Sequence, residues 1–111
     1  MTMQTNTLDK LKKLESLYHQ GYQSDVVDRA VGKIIALESA HTRQELDDLH
    51  ARLIVFEQEY QMKSKDFYAL FHAGKLGDDA DFFEWSAYHD MAEALRERLQ
   101  SIVAPAPPLK H

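Results

Sequence analysis

The densest group of potentially reactive side chains in this 111-residue sequence is Asp78, Asp79, Asp81 and Glu84, with His72 and His89 close by along the chain. Carboxylates and imidazoles at short spacing could hold a divalent ion or exchange protons with a substrate. The spacing fits no EF-hand loop, however, and acids gathered at the start of a helix are accounted for by its positive end and by capping. His50 has no ligand four residues on and His41 has only Glu45 there, so neither makes a chelating set, and they read as surface residues. HExxH, GxSxG, GxGxxG and the P-loop do not occur, so the usual marks of hydrolysis and nucleotide binding are missing. With no cysteine in the chain, thiolate chemistry, disulfides and cysteine-type zinc sites are excluded. The expectation is a non-enzyme with no catalytic residue, no metal and no cofactor.

Aromatic side chains offer binding rather than catalysis. Seven of the eleven, Phe67, Tyr68, Phe71, Phe82, Phe83, Trp85 and Tyr88, fall within residues 62–91, around one acidic glycine turn. Phe67, Phe71 and Trp85 at helical spacing suit a core. Phe82, Phe83 and Trp85 together do not, because neighbouring residues lie about 100° apart on a helix and three bulky rings within four positions cannot all point into one thin core. One of Phe82 and Phe83 must turn outward. An exposed aromatic beside Asp78, Asp79 and Asp81 has the composition of an interface anchor for a basic protein. Asp78, Asp79, Asp81, Phe82, Phe83 and Trp85 are the candidate partner-binding residues.

The elements that must position them are all helical. Thr7 is read as the cap of a first helix carrying Leu8, Leu11, Leu14 or Glu15, and Tyr18, stopped by Gly21. Ser24, followed by Asp25 and Asp28, begins a second helix. With no proline before Met62 and only Gly32 inside, that helix can run continuously for about 55 Å at roughly 1.5 Å per residue. Its apolar stripe comes in two parts, Val27, Val31 and Ile34 with Ile35 or Leu37, then Leu46, Leu49, Leu53, Phe56 and Tyr60. A polar stretch, 38–45, separates them and implies a bend or a change of packing partner. Ser64 is read as the cap of a short helix over 64–73, ended by Gly74. Gly77 opens the next turn, and Asp81 with Glu84 has capping-box spacing for the last helix. That helix presents Trp85, Tyr88, Ala92, Leu95, Leu99 and Ile102 and stops before Pro105. The fold class is all-α: an elongated helical hairpin or bundle, one domain over 1–104, with a disordered Pro-rich tail at 105–111.

Eighteen acidic residues against thirteen basic ones give a net charge of -5, which disfavours nucleic acid and suits a basic protein partner. No apolar run approaches a membrane span, and the polar stretch at the start lacks a signal-peptide apolar region, so a cytoplasmic setting is expected. A chain this short buries little unless it associates. A homodimer is expected, with Leu46, Leu49, Leu53 and Phe56 packed across a helix seam.

The run SKDFYALFHAGKLGDDADFFEWSAYHDM, with GYQSDVVDRAVGKIIALE upstream, resembles a group of small bacterial and archaeal helical proteins of the pattern FYxxFxxGxLGDDxDFFEWxA. The similarity covers about residues 21 to 100. Such proteins resemble the antitoxin half of toxin–antitoxin pairs that accompany toxins of the TumE type. The resemblance implies a non-enzymatic inhibitor that sequesters a cognate toxin protein. This chain departs from the pattern at Gln61 and Lys63, where the group tends to have glycine and a small polar residue, and at His89, a usual apolar position. Losing a glycine removes the easy left-handed stop, so either the second helix runs on towards Ser64 or Gln61 is strained. A self-assembling coiled-coil adaptor or scaffold is the alternative reading, and a small metal-dependent enzyme ranks third.

Overall fold

The computed structural model describes residues 6–105, and the expected tail beyond Pro105 lies outside them. Four helices account for most of that span: α1 (Thr7–His19), α2 (Asp25–Tyr60), α3 (Ser64–His72) and α4 (Ala80–Val103). The protein is all-α, as the periodicity requires, and among the described residues there is no strand. The chain divides into two compact units, one ending at Ile34 and the other beginning at Ile35, with α2 passing through the division.

In the first unit, the cap of α1 is Asn6 rather than Thr7. Its side-chain oxygen accepts the Asp9 amide at 2.8 Å, and Thr7 is the first helical residue. The helix ends as Gly21 predicts. Gly21 has φ +95°, and the Tyr22 amide returns to the Leu17 carbonyl at 3.1 Å, which satisfies acceptors that the helix end would otherwise orphan. Ser24 starts α2 by accepting the Val27 amide at 3.3 Å. The Tyr18 hydroxyl fastens the turn, donating to the Asp28 carboxylate at 2.8 Å and accepting the Ser24 amide at 3.2 Å.

The second unit holds the core. Thr42, Leu46, Leu49, Leu53 and Phe56 recur at 4,3,4,3 spacing along α2 and are all buried. They meet Phe67 of α3 and Trp85, Ala92 and Leu95 of α4, with Tyr60, Phe71, Phe82, Tyr88 and Leu99 packed around them. At about 1.5–3 kcal/mol for each large apolar side chain fully removed from water, this cluster is what holds α3 and α4 to α2. The packing partner does change along α2, since Val27 and Val31 line a groove with α1 while Leu46 to Phe56 face α3 and α4.

That burial corrects the expected dimer seam. Leu46, Leu49, Leu53 and Phe56 expose only 5–8% of their surface within a single chain. Their stripe reads as a seam because 3,4 spacing is the same whether the covering helix comes from the same chain or from another.

The α2–α3 junction takes the second of the two routes open to it. α2 stops at Tyr60, and Gln61 adopts φ +53° in the place where a glycine would be unstrained. The Met62 amide still closes back on the Glu57 carbonyl at 3.2 Å, and the Gln61 side-chain amide donates to the Gln58 carbonyl at 2.6 Å. Lys63 holds the cap position of α3 with no side-chain bond. The role assigned to the Ser64 hydroxyl passes to Glu57, whose carboxylate accepts the Ser64 amide at 2.8 Å.

Candidate partner-binding site

The site is built around Trp85, which is completely buried. Its ring lies parallel to that of Phe67 with centroids 3.8 Å apart, and stacks on Phe56 at 5.6 Å and Tyr60 at 5.7 Å. The indole N–H donates to the Ser64 hydroxyl at 2.9 Å, inside the core. A buried tryptophan needs such an acceptor, and Ser64 supplies it from the first position of α3, one residue past the cap. Glu57, Ser64 and Trp85 thereby link α2, α3 and α4 through one polar chain. Trp85 is a core residue, and its expected place on the partner-binding surface is corrected.

Phe82 and Phe83 separate as the helix geometry demands. Phe82 is half-buried, with its ring 5.3 Å from Tyr60 and 5.6 Å from Phe67. Phe83 turns outward and exposes 58% of its surface, touching the aromatic cluster only through an edge contact with Phe71 at 5.3 Å. Ala87 and Asp90, four and seven residues further on, share its helix face and are also exposed.

The acids have three different roles. Asp79 is the N-cap of α4, its carboxylate accepting the Asp81 amide at 2.9 Å, so the capping box expected of Asp81 and Glu84 does not form. Asp81 instead accepts the Tyr60 hydroxyl at 2.7 Å and joins the end of α2 to the start of α4. That bond, with desolvation and the neighbouring acids, pushes the Tyr60 phenol well above its ordinary range. Asp78 is exposed in the turn that follows Gly74, and Glu84 is exposed on α4. Gly74 itself has φ +73° and ends α3, with the Lys75 amide returning to the Leu70 carbonyl at 3.0 Å. Of the six candidate residues, Asp78 faces solvent without a bond, Phe83 faces solvent with only its edge contact to Phe71, Asp79 and Asp81 are exposed or half-buried but bonded within the chain, and Phe82 and Trp85 belong to the core.

The two histidines flanking this region lie together on the seam between α3 and α4. The Tyr68 ring packs against His72 at 4.2 Å and His89 at 4.4 Å, and its hydroxyl donates to Asp90 at 2.6 Å. His72 Nε2 is 3.0 Å from the Ser86 hydroxyl, which is buried. Burial lowers the His89 pKa, and Arg96 and His72 act in the same direction against the opposing pull of Asp90. A serine beside a histidine resembles a nucleophile and its base, but Ser86 is closed off from substrate and no carboxylate bonds to His72 among the described residues. No group of three His, Asp or Glu side chains among those residues could hold a metal ion.

No family model, curated protein or solved structure matches this chain. The cross-links Glu57–Ser64, Tyr60–Asp81 and Tyr68–Asp90 are what the sequence reading missed. Each joins residues 7 to 22 positions apart on different helices, where no helical repeat relates the partners. For Tyr60–Asp81 the signal in the sequence is a tyrosine at the end of one helix and an acid at the start of another, and the other two cross-links have none.

Proposed function

We propose that this chain is a non-enzymatic binding protein, the neutralising half of a toxin–antitoxin pair, which covers a basic toxin surface with the α3–α4 end of its second unit. The observation that carries this reading is Phe83, a large aromatic left 58% exposed on a rigid helix although its neighbours Phe82 and Trp85 are packed inside. Its rigidity comes from Phe71 beneath it and from the capped start of α4. A ring held this way costs little entropy to bury against a partner, which is the property of an interface anchor. Asp78, Glu84 and Asp90 lie around it in sequence and are exposed, and they supply the negative charge that would steer a basic protein towards it. The resemblance of residues 21–100 to antitoxin-like proteins supports the same assignment, and a cytoplasmic setting suits it.

Co-expression with the product of the neighbouring gene, followed by size exclusion, tests the proposal. A stable complex of two different chains is expected. Recovery of this chain only with itself would favour the adaptor or scaffold reading instead.

A further inference from the structure

Among the described residues of the first unit no side chain is buried, although Leu8, Leu11, Leu17, Tyr22, Val26 and Ile34 each expose 41–72% of their surface. A helix of 13 residues is marginal by itself in water, and this one has only a half-covered contact with the start of α2 to stabilise it. Between the two helices runs an open groove of about 540 Å³, floored by Leu11, Leu14, Tyr18, Val27 and Val31 and rimmed by Glu15 and Asp28. Gly32 widens it, since a Cβ there would meet nothing within 4 Å.

We infer that this groove is a self-association surface whose occupant is α1 of a second copy of the chain. Charge decides between a copy and another protein. Residues 1–34 carry five Lys and Arg against four Asp and Glu, which leaves eight against fourteen for residues 35–111. Two second units repel each other and attract a basic partner, whereas two first units carry almost no net charge. The signs are also arranged to match. On α1, Lys10 and Lys13 stand seven and four residues before Leu17 and therefore share its face. That basic face with an apolar centre is the complement of an apolar groove with an acidic rim. A twofold pairing satisfies both copies at once, each α1 entering the other's groove, and produces four helices around one core.

Analytical ultracentrifugation of the full chain at low salt tests the inference. The expected mass is twice the 12.8 kDa of one chain at tens of micromolar. Leu11→Glu, which keeps a good helix former at an exposed position, should weaken the dimer at least about 100-fold by placing a charge in the groove. Trp85 fluorescence should stay unchanged, because the only tryptophan lies in the second unit. Glu15→Lys should weaken association at least about tenfold, and adding Lys10→Glu and Lys13→Glu to it should restore the dimer. A monomer throughout, a dimer indifferent to Leu11→Glu, or a charge reversal without rescue would overturn the inference. So would a monomer whose α1 amides gain exchange protection only with a co-purified second protein, which would assign the groove to that protein.

Discussion

Replacing Ser64 by Ala removes one hydroxyl from the centre of the second unit and isolates what the polar chain through the core contributes. Ser64 is 6% exposed and Trp85 not at all, so water cannot replace the lost acceptor, and the indole N–H is left buried without a partner. An unsatisfied buried donor costs about 1–3 kcal/mol, and the small cavity adds little, so Ser64→Ala should lower stability by about 2 kcal/mol. For a unit of this size that is a fall in the melting midpoint of roughly 8–16 °C. The Glu57 bond to the Ser64 amide uses the backbone and survives the change. Urea unfolding followed by far-UV circular dichroism gives the free energies, and a double-mutant cycle with Trp85→Phe assigns them. Trp85→Phe deletes the donor, so in that background Ser64→Ala should cost less than about 0.5 kcal/mol. An equal cost in both backgrounds would refute the hydrogen bond as the cause.

Three further outcomes follow from buried or strained groups. Thr42 is fully buried with its hydroxyl unpartnered, so the nearly isosteric Thr42→Val should raise stability by about 1 kcal/mol in the same urea assay. Gln61→Gly relieves a left-handed residue at the end of α2 and should stabilise by about 0.5–1 kcal/mol, less whatever the Gln61 bond to Gln58 now contributes. His89 has its pKa lowered in the fold, so the unfolded chain binds more protons between the two pKa values and stability rises with pH across that window. Its contribution is fully present above about 6.5, the unfolded pKa, and is lost as pH falls through the lower folded value. Unfolding midpoints measured from pH 7.5 down to 5 should fall for the parent chain and fall less for His89→Phe.

The sequence makes the helix boundaries legible wherever a backbone requirement dictates a residue type. Gly21 and Gly74 occupy left-handed positions, and Ser24 caps the helix it precedes. The outward turn of one phenylalanine is also readable, because helix geometry alone forbids Phe82, Phe83 and Trp85 from sharing a face. What local pattern could not supply is which surface covers a given stripe. Leu46 to Phe56 carry the same spacing in a dimer seam as in the core they actually form, and only the positions of α3 and α4 decide it. Ser64 shows the same limit on a smaller scale. Its place before a helix suggests a cap, while its acceptor role is set by Trp85, twenty-one residues away.

Calorimetric titration of the neighbouring gene product with the parent chain and with Phe83→Ala addresses the partner-binding claim most directly. Because the ring is largely exposed, the substitution should leave folding stability within about 1 kcal/mol of the parent. It should weaken the complex by at least about 2 kcal/mol, roughly 30-fold in Kd. Unchanged affinity, or a loss of binding matched by a loss of folding, would contradict the assignment of Phe83 as the anchor.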